Sequence, residues 1–267
     1  MEKNKKPINR PIQIFSSPDS SIGVNVVKSP VKLTILDMLK ETDMEFDEIT
    51  LNTGKSKSTI SVHLKSLREN GIINYRVDPN DNRKKIFFLS SRYLGSVDIK
   101  ESKEIEETTP EFLIENIINN KANFSLLLFH TLRSSLIQEG ISINPFLHDT
   151  GYRIGEALYP SLKDDDLEKF IENIKEFWES NKLGELDIDL GQIIKVKNGD
   201  CFECGSLPKI GIPACYFDVG ILEALFSKYF GMPLNVIETK CFTMGDNHCE
   251  FEIEPLSLEK IRNLEGI

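Results

Sequence analysis

The sequence predicts an α+β chain of two dissimilar domains, a helical front unit closed by a β-hairpin and a mixed α/β rear unit. Three observations carry this reading. Helix start and stop signals follow one another from Ser29 to Gly71, and two strand-like runs around a strong turn come next. The charge is divided: of 267 residues with net charge −10, residues 1–93 hold 16 Lys+Arg against 11 Asp+Glu, and the remainder hold 16 against 31. Such asymmetry points to different partners for the two ends. Finally, Cys201, Cys204, Cys215, Cys241 and Cys249 all lie in the last quarter.

Residues 1–28, rich in Pro, Ser and Asn, read as a flexible arm. Ser29 suits an N-cap and Pro30 a first helical turn, after which Val31, Ile35, Met38 and Leu39 recur at helical spacing. "FDEITLNTG" fits a short second helix ended by Gly54. "KSKSTISVHLKSLRENG" fits a third, capped by Ser56 and ended by Gly71, with Ile60, Leu64 and Leu67 as its packing stripe. Ser58, Ser61 and Lys65 fall on the opposite side, with Lys57 and Arg68 at the flanks. The hairpin "IINYRVDPNDNRKKIFFLS" then carries three consecutive cations, Arg83, Lys84 and Lys85.

Helix, helix, turn, helix, hairpin is the winged helix-turn-helix order. "SKSTISVHLKSLRENGII" resembles the recognition helix and first wing strand of the arsenic-repressor-like regulators, over roughly residues 29–93. The resemblance implies binding to double-stranded promoter DNA. Early helix residues, Lys57, Ser58, Thr59 and Ser61, would reach base edges in the major groove. Lys65, Arg68, Arg83, Lys84 and Lys85 would meet phosphates. The competing reading is a solvated helix of a protein–protein module.

Residues 94–119 read as an acidic linker, with a helix that can serve dimerisation, and 120–256 as the second domain. Helices are expected over "PEFLIENIINNKANFSLLLFHTLRSSLIQEG", "TGYRIGEALY", "DDDLEKFIENIKEFWESN" and "YFDVGILEALFSKYFG". Strands are expected at "GQIIKVKNGDCFECG", with a hairpin turn at Asn198-Gly199, and in "NVIETKCFTMGDNHCEFEIEP". Residues 257–267 read as a tail. No apolar run is long enough to span a bilayer, and the start lacks the apolar stretch of a signal peptide. The expectation is a cytoplasmic protein without a membrane partner, where clustered thiols favour a metal or redox site over a disulfide scaffold.

Folding the last hairpin about Gly245 sets Cys241 opposite Cys249, and Cys215, before a long helix, can reach the same place. Glu238 adds an oxygen donor, but in a regular strand Glu238 and Cys241 face opposite sides, so it joins only if the strand bulges. "PAC", "ExxC" and "CEF" in this order resemble the 4-vinyl reductase domain, also the sensor of phenol-responsive activators. The resemblance implies a structural zinc on Cys215, Glu238, Cys241 and Cys249. Unliganded buried cysteines are the plainer alternative. His248 faces away from Cys249 by alternation.

Cys201 and Cys204 lie outside this pattern and are open to redox pairing. They can also form half of a four-cysteine zinc set with Cys241 and Cys249, or be structural. A bend before Gly205 is needed to bring them together. A winged helix joined to such a domain resembles the methanogen-specific regulators with a 4-vinyl reductase-type domain, which implies a homodimeric, thiol-responsive, DNA-binding regulator. A small hydrophobic or aromatic ligand is the alternative signal, with Trp178 and the phenylalanines as pocket or core. With four protein ligands closing the zinc and no Ser-His-Asp set or nucleotide-binding glycine motif, no catalytic residues are expected.

Overall fold

The structure, a computed structural model, describes residues 12–16, 24–79, 81–97, 124–191, 193–207 and 209–255. The chain divides into two units near residue 99.

In the first unit, α1 (Pro30–Glu41), α2 (Phe46–Thr53) and α3 (Lys57–Glu69) pack over one core that includes Ile35, Leu36, Ile49, Ile60, Leu64 and Leu67. The expected signals act as local geometry. Pro30 opens α1, although the Ser29 hydroxyl makes no capping bond. Gly54 ends α2 at φ 62° and Gly71 follows α3 at φ 66°, conformations that a side chain disfavours. The Ser56 hydroxyl accepts the Thr59 amide at 3.3 Å and so caps α3. The wing is β4 (Ile73–Val77) paired with β5 (Lys85–Leu89), and β3 (Met44–Glu45) joins the other edge of β5.

The expected flexible arm needs correction at residues 12–16 and 24–27; residues 1–11 and 17–23 lie outside the described residues. Ile12–Ser16 form β1 and Val24–Val27 form β2, an antiparallel pair, and β1 also pairs with β6 (Tyr93–Val97). Phe15 is fully buried against the Tyr93 ring, centroids 5.4 Å apart. Of the two partner strands of β1, β2 is near and β6 is far away along the chain, and the Pro, Ser and Asn content of the segment reads as loop. The expected linker beyond residue 97, the start of the second domain at 120–123 and the expected tail lie outside the described residues.

Among the described residues, the second unit has the helices α4 (Phe124–Gln138), α5 (Asn144–Leu162), α6 (Leu167–Ser180) and α7 (Tyr216–Phe230), and an antiparallel sheet. Its strands are β7 (Glu185–Leu190), β8 (Ile194–Gly199), β9 (Leu234–Lys240) and β10 (Cys249–Pro255), in the order β9-β10-β8-β7. Helix α7 buries Val219, Ile221, Leu222, Ala224, Leu225 and Phe226, apolar on nearly every side, because α5 covers one face and the sheet another. Glycines allow the close approach to α5. A Cβ on Gly220 would sit 2.1 Å from the His148 carbonyl oxygen, and one on Gly151 would sit 2.1 Å from that of Phe217.

The Asn198-Gly199 turn is not formed. Asn198 lies inside β8, paired with Cys249, and the hairpin turns instead between β7 and β8. Trp178 is fully buried and belongs to the core, together with Phe170 and Phe226.

Candidate metal centre and DNA-contact surface

All five thiols converge on one buried point, each 0–2% exposed. Cys215 sits at the N-terminus of α7, on the closely packed α5–α7 pair. Cys249 starts β10. Cys241 follows β9, whose register slips between Glu238 and Lys240. That bulge is the irregularity the sequence demanded, and it turns Glu238 towards the same centre as Cys241. The sulfur separations are 3.6 Å for Cys215–Cys249, 3.8 Å for Cys215–Cys241 and 4.0 Å for Cys241–Cys249. Four sulfurs about 2.3 Å from a zinc ion would stand about 3.8 Å apart.

The donor set fits an ion. Glu238 accepts the Cys215 amide on one oxygen at 2.9 Å, while its other oxygen is buried without a partner. Burial, with Cys241 beside it, pushes the Glu238 carboxyl up to about 9. His248 stays outside, its ring against Asn247 and Glu250.

Cys201 and Cys204 belong to the same cluster, so the separation of a zinc knuckle from a redox pair is not kept. The chain turns at 201–205, with the Gly205 amide donating to the Cys201 carbonyl at 2.9 Å. The bend therefore exists, but it aims the thiols at different partners: Cys201 lies 3.6 Å from Cys215, and Cys204 lies 3.2 Å from Cys249. Cys201, Cys204, Cys215 and Cys249 make a four-cysteine group able to hold a metal ion, and Cys215, Glu238, Cys241 and Cys249 make a second group. The alternative of Cys201 and Cys204 with Cys241 and Cys249 is replaced by the group containing Cys215. Hydrogen bonds from Cys204, Cys215 and Cys249 hold the Cys201 thiol well below its usual value, while burial pushes that of Cys215 well up.

Three residues missed in the sequence build the surroundings. Glu203, inside the CxxC turn, accepts the Phe217 and Asp218 amides at 3.1 and 3.0 Å and so caps α7. A helix N-terminus thus does serve the CxxC segment, but the helix begins only at Tyr216. Arg133 on α4, 4% exposed, donates to the Glu203 carboxylate at 3.1 Å and to the Ala214 carbonyl at 2.7 Å. Asp218 accepts from Cys201 at 3.4 Å and from Asn198 at 3.2 Å. Burial raises Asp218 well above the carboxylate range and Glu203 to about 8, with Arg133 opposing the latter. No sequence spacing joins these residues, and no local signal marks them.

A small apolar pocket adjoins this network. It is lined by Leu136, Ile137, Ile141, Ile143, Ile210 and Ile212, and also by Arg133 and Ala214, of which Arg133 bonds Glu203 and the Ala214 carbonyl next to Cys215.

In the first unit, Lys57, Ser58, Ser61, Lys65 and Arg68 lie on the outer side of α3, and Arg83, Lys84 and Lys85 are exposed on the wing. Thr59 is half-buried. The hydroxyls of Ser58 and Thr59 are 3.0 and 2.8 Å from that of Ser56, so the cap engages both. Lys57 pairs with Asp47 at 2.7 Å, Lys84 with Glu45 at 3.0 Å and Arg83 with Asp81 at 3.1 Å. Arg68 and Lys85 lie over the Tyr75 ring, 4.3 and 4.4 Å from its centre. One outward residue escaped the polar pattern: Val62, 66% exposed between Ser58 and Lys65.

Comparison with known proteins matches residues 29–75 to the bacterial regulatory proteins of the arsR family and residues 194–255 to the 4-vinyl reductase domain. The chain joins an arsR-type helix-turn-helix domain to a 4-vinyl reductase domain. Both matched families are non-catalytic, and together the two matches are family-level evidence for a DNA-binding regulator with a sensor domain. An uncharacterized protein of Methanocaldococcus jannaschii is 26% identical over 167 residues, which are 59% of this chain and 95% of that protein. A crystal structure of a vinyl-4-reductase family protein from the same organism aligns at 21% identity over 58% of this chain and 99% of its own, with a TM-score of 0.38. The phenol-responsive sensory domain of the transcription activator PoxR, solved with phenol, aligns at 12% identity over 74% and 90%, with a TM-score of 0.36. No helix among the described residues is long and apolar enough to cross a membrane.

Proposed function

We propose that the chain regulates transcription as a homodimer whose 4-vinyl reductase domain, built on a zinc-bearing cysteine cluster, responds to a small apolar or aromatic molecule. The observation that carries this reading is Arg133. It forms one wall of the apolar pocket and also holds the Ala214 carbonyl and the Glu203 carboxylate beside the cluster. A molecule entering between Ile137 and Ile212 displaces or tightens Arg133, and so acts on the CxxC turn and on the start of α7. A ligand shifts a two-state regulator only through such differential contact. Zinc, when bound, ties α7 and the last hairpin into one unit through Cys215, Glu238, Cys241 and Cys249. Leu128 and Leu132, 59% and 57% exposed one turn apart on α4, offer an apolar stripe for a second copy.

At the other end, Lys57, Ser58, Thr59 and Ser61 present polar groups to the major groove, and Val62 presents methyls suited to thymine. Lys65, Arg68, Arg83, Lys84 and Lys85 supply phosphate contacts.

The test is thermal stabilisation of the zinc-loaded full chain by a panel of small aromatic and aliphatic compounds, followed by promoter-fragment binding with and without each hit. Stabilisation by at least one compound, abolished by Ile212→Trp, is expected. A hit whose effect survives Ile212→Trp would place the ligand elsewhere.

A second reading, thiol oxidation, is favoured by the short Cys204–Cys249 separation of 3.2 Å. Against it stands the burial of every thiol, because redox-sensing cysteines are accessible ones. If oxidation is the signal, the geometry favours Cys204–Cys249 over Cys201–Cys204 as the pair. DNA affinity that is equal in reduced and mildly oxidised protein would remove this reading.

A further inference from the structure

We propose that the cysteine cluster holds two divalent ions of the zinc type, bridged by the thiolates of Cys215 and Cys249. The inference rests on the metal-holding part of the proposed function and deepens it.

Three groups of donors could hold an ion; the two with four donors share Cys215 and Cys249, and the third, Glu203 with Cys215 and Asp218, has its carboxylates engaged by Arg133 and Asn198. The Cys215 and Cys249 sulfurs are 3.6 Å apart, close to the edge of about 3.8 Å expected for a zinc–sulfur tetrahedron. Two tetrahedra that share an edge need six donors, of which two are common. The cluster supplies that number. Cys201 and Cys204 complete the tetrahedron on one side, and Cys241 and Glu238 complete it on the other. Of the remaining separations, Cys201–Cys215 at 3.6 Å, Cys215–Cys241 at 3.8 Å and Cys241–Cys249 at 4.0 Å lie near that edge, while Cys204–Cys249 at 3.2 Å is shorter and must open by about 0.6 Å.

A single ion leaves two of the six converging donors unliganded. On Cys215, Glu238, Cys241 and Cys249 it abandons Cys201 and Cys204, buried with 2% and 0% exposure and in contact with two ligand sulfurs. On the four cysteines it abandons Cys241 and the partnerless Glu238 oxygen. Charge points the same way. Five thiols, Glu203, Asp218 and Glu238 surround the point, and the buried cation among the described residues is Arg133. Donors that bind no ion keep their protons when buried, so ionising all six takes more positive charge than one divalent ion supplies, and two ions balance four of those six charges. Hydrogen bonds then fit a ligand's surroundings: the Thr243 hydroxyl donates to Cys241 sulfur at 3.0 Å.

The experiment is a cobalt(II) titration of the full chain, purified without air and stripped by a chelator, followed by optical absorption and electron paramagnetic resonance. Two equivalents are expected to bind with thiolate-to-cobalt charge-transfer bands. The paramagnetic signal should rise over the first equivalent and fall over the second, because ions sharing thiolates couple their spins. Metal analysis of the zinc form should give two ions per chain. Saturation at one equivalent would overturn the bridged pair while leaving the single structural ion intact. A signal that rises linearly to two equivalents would also overturn it, since the sites would then be separate. No binding would remove both this inference and the zinc of the proposed function. Cys204→Ser and Cys241→Ser should each lower the capacity from two to one, and the wild-type titration decides the matter even if either variant fails to fold.

Discussion

The arsR-type and 4-vinyl reductase domains place their charge in opposite ways. The first carries its cations outside, on α3 and the wing, where several touch one carboxylate or one ring. The second gathers five thiols and three carboxyl groups inside, around Arg133. An exposed ion pair contributes about 0–1 kcal/mol and is screened by salt. A buried charge that loses its partner costs several times more. The surface is therefore built for additive, adjustable contacts, and the cluster for all-or-none behaviour.

The sharpest way to break that contrast is at Cys215, the first of the two sulfurs shared by both groups. Chelation or Cys215→Ser should cost at least about 3–5 kcal/mol, a fall of about 10 °C in melting temperature for a domain of this size. Circular-dichroism melting with and without chelator measures it, and a change under about 2 °C would mean that the cluster is not what holds the domain. Next comes Arg133. Arg133→Ala removes the cation that opposes the rise of the buried Glu203 carboxyl, and the donor to the Ala214 carbonyl, and should cost about 1–3 kcal/mol in urea denaturation. Arg133→Met keeps the bulk and should not rescue that loss, because the missing quantity is charge. Equal rescue by Met would show that packing, not the ion pair, is the role of Arg133.

Gly220→Ala tests a purely steric part of the same domain. Its methyl would meet the His148 carbonyl oxygen at 2.1 Å, so α5 and α7 must separate. The expected cost is about 1–3 kcal/mol, read from the denaturant midpoint. Because α7 carries Cys215, metal affinity should fall with it. Unchanged metal affinity would show that the α5–α7 contact does not position that ligand.

The contrast also explains what could be read from sequence. The third helix was legible because its signals are local: Ser56 caps it, Gly71 follows it, and Ile60, Leu64 and Leu67 make one stripe. The Cys215, Glu238, Cys241 and Cys249 group was legible through the family resemblance and the hairpin spacing, with Glu238 conditional on a bulge that β9 has. What failed was non-local. Asn198-Gly199 has a strong turn signal, but pairing with Cys249 and a bond to Asp218 hold Asn198 in the middle of the sheet. β1 reads as loop from the Pro, Ser and Asn around it; it lies between the nearby β2 and the distant β6, and the second of these pairings is non-local. Cys201 and Cys204 were placed apart from the metal group because nothing local shows that Glu203, between them, caps a helix starting at Tyr216. The Arg133–Glu203 pair spans 70 residues, beyond the reach of any motif.

The smallest expected effects are on the DNA side, and there the pairs within the protein set the order. Lys57 and Lys84 stand 2.7 and 3.0 Å from carboxylates, whereas Lys65 is 3.8 Å from Glu69 and 76% exposed. A cation that must leave a carboxylate to reach a phosphate releases less net counterion than one that need not. Lys65→Ala should therefore reduce the salt dependence of promoter binding by about 0.9 in the log–log slope, with Lys84→Ala giving less. Both should leave unfolding stability within about 0.5 kcal/mol, as surface changes usually do. Fluorescence anisotropy across a salt series measures the slopes. A larger loss at Lys84 than at Lys65 would mean that Glu45 swings away on binding, and that the wing, rather than α3, carries the main electrostatic contact.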